Sequence, residues 1–113
     1  MGQTREFSPP VWRMMQLLTE ERSRWLALDV GEAAPEQGSA GRDSVCWTSL
    51  WTDRSRDHML VEVFDDGLGS RLRWTLLSPE DDVPGEARIR QMRHRVNELF
   101  NVLLRDYIDT QGL

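Results

Sequence analysis

Residues 44–78, SVCWTSLWTDRSRDHMLVEVFDDGLGSRLRWTLLS, decide the fold. Three stretches within them alternate apolar and polar side chains with a period of two, the mark of a strand that buries one face. Ser44–Thr52 sets Val45, Trp47 and Trp51 on one face, with Ser49 as a small member. His58–Phe64 sets Met59, Val61 and Val63 together with Glu62 opposite, and Ser70–Ser78 sets Leu72, Trp74 and Leu76 against Arg71, Arg73 and Thr75. Antiparallel pairing must bring matching faces together. The link 53–57 pairs Thr52 with His58, and hence Trp51 with Met59 and Trp47 with Val63. The turn Asp66-Gly67-Leu68-Gly69 pairs Asp65 with Ser70, Val63 with Leu72 and Val61 with Trp74. Apolar faces agree at both joints, so the stretch predicts a three-stranded antiparallel meander with its indoles inward.

Helical spacing flanks the meander. Ser8-Pro9-Pro10 reads as an N-cap followed by first-turn prolines, where a missing N–H does no harm. Val11, Met14, Met15 and Leu18 then form an apolar stripe that predicts a helix to about Arg22. Between Arg24 and Val30 the pattern fits either a strand (Leu26, Leu28, Val30) or a helix closed by Gly31, with helix favoured. Residues 31–43, GEAAPEQGSAGRD, lack periodicity and predict a mobile loop, and residues 1–7 predict a flexible N-terminus. After the acidic connection SPEDDVPG at 78–85, Ile89, Met92, Val96, Leu99, Phe100, Leu103 and Tyr107 mark one stripe of a long final helix that Gly112 ends. The expected fold class is α+β, a single domain over 1–113: N-terminal helix, three-stranded antiparallel meander and long C-terminal helix, both helices on the Trp-bearing sheet face.

Composition narrows the function. The chain is 113 residues long with a net charge of -5, and its 14 cationic side chains are all Arg. Excess negative charge works against sequence-independent nucleic-acid binding, which cations drive by displacing counterions from phosphates, and against anionic membranes. A single cysteine gives no disulfide framework. The N-terminus has no secretory pattern, Glu6 spoils a myristoylation motif, and no apolar run is long enough to span a bilayer. A cytoplasmic location is expected.

The reactive side chains read as bland. Cys46 and His58 are the only pair that suggests a thiol and its base, and the expected register sets Cys46 opposite Phe64, about 20 Å from His58. His94 falls on the polar side of its helix. Asp53 and Asp57 sit at the other end of the meander from Asp65 and Asp66, and turn chemistry accounts for them better than a hard cation does. Gly67 and Gly69 lack the following helix of a phosphate loop and read as hairpin glycines. No catalytic, metal or cofactor site is expected, and no enzyme. The basic run Arg88, Arg90, Arg93, Arg95 is the one nucleic-acid candidate, with solvated or ion-paired arginines the simpler account. Helix, three strands, helix resembles the double-stranded RNA-binding domain in topology alone, since the second helix has no Lys cluster at its start.

One feature outlasts this comparison. The sheet face away from the indoles carries Cys46, Leu50, Leu60, Phe64 and Leu77 among polar groups, and an exposed apolar strip on a soluble domain marks a contact surface. A non-enzymatic, homodimeric protein–protein interaction module, adaptor or chaperone-like, is expected, binding a protein partner or itself there, with a symmetric homodimer through this face the simplest outcome. Leu50, Leu60, Phe64 and Leu77 would be the apolar contacts, with Arg71, Arg73 and Glu62 setting register at the rim. The alternative is a nucleic-acid-associated regulator using Arg88, Arg90, Arg93 and Arg95.

Overall fold

The computed structural model describes residues 2–113, with side chains from Arg5 onward. In chain order the elements are strand β1 (Gly2–Phe7), helices α1 (Val11–Thr19) and α2 (Arg22–Trp25), strands β2 (Gln37–Ala40), β3 (Ser44–Thr48), β4 (His58–Asp65) and β5 (Ser70–Leu77), and then helix α3 (Glu86–Glu98). A π-helical stretch, Leu99–Leu104, joins α3 to α4 (Arg105–Gln111) without a break. The sheet is five-stranded and antiparallel, in the order β1-β5-β4-β3-β2.

The β4–β5 hairpin has the expected register, with Val63 opposite Leu72, Val61 opposite Trp74 and Asp65 opposite Ser70. Its turn is built from local hydrogen bonds: Asp65 Oδ1 accepts the Gly67 N–H, and the Asp66 N–H reaches the Gly69 carbonyl. Gly67 needs its positive φ of 79°, and Gly69 needs its missing side chain. A Cβ there would lie 2.2 Å from the Phe7 carbonyl oxygen, because the end of β1 passes directly over the turn.

The β3–β4 register differs from expectation. Trp47 lies opposite Met59 and Thr48 opposite His58, a displacement of four residues. Because four is even, every side chain keeps its face. The cause lies after Thr48, where the chain leaves β4 and follows residues 31–36 instead. Ala33 N–H donates to the Leu50 carbonyl, Thr48 N–H to the Glu36 carbonyl, and Glu32 bridges Trp51. A turn at Thr52–Arg54 then brings the chain back, closed by Arg54, whose guanidinium grips the buried Asp57 carboxylate at 2.8 and 2.9 Å.

Two stretches expected to lack elements contribute strands. Gly2–Phe7 pairs along β5, covering what would be a long exposed edge, while Met1 lies outside the described residues. Gln37–Ala40, within the expected 31–43 loop, pairs with β3 across a register irregularity. Neither stretch alternates cleanly, so pairing is imposed by the neighbouring edge. The expected three-stranded meander is thus the interior of a five-stranded sheet, with β4 in the middle.

Helix α1 ends at Thr19, short of Arg22, and α2 extends the helical region only to Trp25, so residues 26–30 are not helical. Ser8 does not cap α1. Its hydroxyl donates to the Leu113 carbonyl, and Pro10 takes the N-cap position. The far end of α1 is closed by two indoles: Trp25 Nε1 donates to the Leu17 carbonyl at 2.8 Å and Trp47 Nε1 to the Leu18 carbonyl at 3.1 Å. These carbonyls belong to the last turn, which has no partners within the helix. Trp25, Trp47 and Phe100 meet with ring centroids 5.8 to 6.2 Å apart, so one aromatic cluster joins α2, the sheet and the C-terminal helix.

The C-terminal helix buries Met92, Val96, Leu99, Phe100, Leu104 and Ile108. Leu103 and Tyr107, expected in the stripe, are only partly buried. The sequence repeats large apolar residues every four positions from Val96, which overshoots an α-helical turn by about 40° each time. The wider π-helical stretch takes up that excess and moves the buried stripe on by one residue. The N-terminal helices and the continuous C-terminal helix pack on the Trp47, Trp74 and Leu72 side of the sheet in a single core.

The indole bonds set an order of stability. Trp25→Phe and Trp47→Phe each orphan a buried carbonyl, whereas among the described residues the Trp74 indole nitrogen has no hydrogen-bond partner to lose. Chemical denaturation is expected to show the first two losing about 1 kcal/mol more than Trp74→Phe. Gly69→Ala, which forces β1 away from the turn, is expected to cost about 1–3 kcal/mol in the same measurement.

Candidate functional site

Away from the helices, alternate strand residues form the outer face of the sheet. Its centre is on β4, where Leu60, Glu62 and Phe64 point outward in turn. Glu62 lies opposite Arg73 of β5, and its Oε1 accepts hydrogen bonds from Arg73 Nε at 3.0 Å and Nη2 at 2.7 Å. The same guanidinium sits over the Phe64 ring, 5.2 Å from its centroid. Leu60 lies between Cys46 on β3 and Thr75 on β5. Leu60, Phe64 and Cys46 are half-buried by their strand neighbours, and Leu77, opposite His58, is 45% exposed. Arg71 is exposed and lies 3.7 Å from Asp66.

Five of the six expected contacts, Leu60, Phe64, Arg71, Arg73 and Leu77, therefore share this face. Leu50 does not. It lies beyond the end of β3, where the chain has turned to follow residues 31–36, and it is 3% exposed within the core. Its alternation with Thr48 carries no information once the strand has ended. The apolar strip is also interrupted, since the Glu62–Arg73 pair stands between Leu60 and Phe64.

The displaced register moves Cys46 as well. It lies opposite Leu60 and diagonal to His58, two positions along the ladder instead of six. Among the described residues no hydrogen bond joins the two side chains.

On α3, Arg88 and Arg95 are held by carboxylates of the same chain. Arg88 donates to Asp53 at 2.8 Å and lies over the Trp51 ring. Arg95 is held by Glu32, through Nε to Oε2 at 2.8 Å and Nη2 to Oε1 at 2.9 Å, and by Glu98. Arg90 is exposed, and Arg93 lines a small apolar pocket with Leu76, Val83, Pro84, Ile89 and Met92. The acidic turn residues also meet arginines: Asp57 and Asp82 meet Arg54, Asp81 meets Arg56, and Asp53 meets Arg88. No three metal-ligating side chains converge among the described residues.

A groove that the sequence does not announce lies at the hairpin end of the sheet, with a volume of about 570 Å³. Trp12 and Leu68 stand at its lips, 66% and fully exposed, above Pro10 and Phe64. Its one signal in the sequence is that Trp12 falls outside the apolar stripe of α1.

Compared with known protein families, with curated proteins and with solved structures, the chain matches none. Among the described residues no helix is long and apolar enough to cross a membrane.

The Arg95 cluster gives a pH dependence. Burial alone would raise the Glu32 carboxyl, but hydrogen bonds from Arg95 and from the Asp29 N–H, with the guanidinium charge, outweigh it and hold the group below its ordinary value of 4.5. A carboxyl lowered on folding contributes stability that is present above its unfolded value and lost as pH falls through the folded one. The melting temperature is expected to be higher for the wild type than for Glu32→Gln near pH 7. Below about pH 4 that gap should narrow.

Proposed function

We propose that the protein is a non-enzymatic protein–protein interaction module that binds through the outer face of its sheet. One observation supports this above the rest: both helices pack on one side, and the middle strand of the other side presents Leu60 and Phe64 around an ion pair. That arrangement suits an interface with apolar contacts at its centre and charges that set orientation. The partner would carry a flat apolar surface with charges of both signs. An adaptor or chaperone-like role in the cytoplasm is the corresponding reading, with Leu60, Phe64 and Leu77 as contacts and Arg71 and Arg73 setting register.

The alternative, a nucleic-acid-associated regulator on the Arg88–Arg95 face, is the weaker, because Arg88 and Arg95 are committed to carboxylates within the chain. A salt-dependent gel shift with duplex RNA or DNA that disappears in Arg90→Glu plus Arg93→Glu would favour it over the sheet face.

Affinity capture from native lysate, run beside a molar-mass measurement, tests the main reading. A protein retained by the wild type is expected to be lost by Leu60→Asp and by Phe64→Asp, with circular dichroism confirming that both variants fold. Capture and self-association that are both unchanged in these variants would remove the outer face from consideration.

A further inference from the structure

We infer that the occupant of the outer face is a second copy of this chain, held face to face about a two-fold axis that passes between Glu62 and Arg73. This rests on the outer face being the binding surface.

The first ground is charge. Among the described side chains the outer strand face carries Glu6, Glu62, Arg71 and Arg73, two of each sign. The net charge of -5 thus resides elsewhere on the molecule. Pairing through this balanced face brings no net charge into the contact.

The second ground is geometry. A symmetric interface must be complementary to itself. The Glu62–Arg73 pair sits near the middle of the sheet, on the central strand β4 and its neighbour β5. A two-fold axis running between these residues, parallel to the strands, sets Glu62 of each copy over Arg73 of the other, so two ion pairs become a square of alternating sign. Leu60 and Phe64 lie on either side of that square and supply the apolar burial. Charged groups buried at such a centre fix register more than they add affinity.

Sheet edges offer a poorer route. β2 is only four residues long and irregularly paired, and on β1 the Arg105 guanidinium takes the Glu6 carbonyl and covers the Phe7 ring. Short, bulged or covered edges resist strand addition.

The size of the face sets the strength. Five strands about 4.8 Å apart and roughly 20 Å long give about 500 Å² per copy, near the lower limit of a specific interface. Association should therefore be weak and concentration-dependent.

The test uses two single variants. Glu62→Arg makes the central pair doubly positive and Arg73→Glu makes it doubly negative. Sedimentation equilibrium is expected to show the wild type passing from monomer toward dimer between about 10 µM and about 1 mM, the range in which an interface of this size associates. Each variant alone should dimerise on the order of a hundredfold more weakly, since like charges then face each other across the interface. An equimolar mixture of the two should recover a one-to-one dimer at least as tight as the wild type. A wild type that stays monomeric throughout overturns the inference, as does a wild-type dimer that neither variant weakens or a mixture that stays monomeric. Should the wild type be monomeric while Leu60→Asp still abolishes capture of another protein, only the identity of the occupant fails and the outer-face reading stands.

Discussion

Two indole N–H groups hold the last turn of α1, and most of the structure is arranged around that contact. A helix of nine residues is too short to be stable alone, and its final carbonyls need partners when they are buried. Trp47 supplies one from β3 and Trp25 the other from α2. The same rings pack on Phe100 of the C-terminal helix, so one set of side chains fixes α1, α2 and the long helix against the same side of the sheet. Among the described residues no helix packs on the opposite side, and its residues are left to the solvent or to another surface.

Much of this was legible in the residues. The period-two pattern fixes which side chains share a face, and a four-residue turn with two glycines fixes the β4–β5 register, because the turn leaves the strands no slack. The β3–β4 register was not legible in the same way. Its connection is long enough to allow several even displacements, all of which keep the indoles inward, and the choice among them depends on hydrogen bonds between residues 31–36 and 48–52. Leu50 is expected outward only because apolar–polar alternation continues past Thr48, where β3 ends.

Edge strands and the π-helical stretch are hidden for different reasons. β1 and β2 owe their extended form to the unpaired backbone of β5 and β3, which is a tertiary effect with little trace in their own side chains. The π-helical stretch has a trace, the four-residue spacing of Val96, Phe100, Leu104 and Ile108, but a stripe template of period 3.6 absorbs Leu103 and Tyr107 equally well. At the candidate surface, Leu60, Phe64, Arg71, Arg73 and Leu77 were legible because parity alone puts them outward. The pairing of Glu62 with Arg73 follows from the hairpin register. The ring contact between Arg73 and Phe64 does not, since it depends on how the guanidinium lies along the strand.

Hydrogen exchange at the indole nitrogens tests the central arrangement most directly. Followed by 1H–15N NMR after transfer to D2O, the Trp25 and Trp47 Nε1–H signals should persist well after that of Trp12, which faces solvent. Loss of the Trp25 and Trp47 signals as fast as that of Trp12 would mean that α1 is not capped by the sheet and α2, and the division into a covered and an open face would not hold.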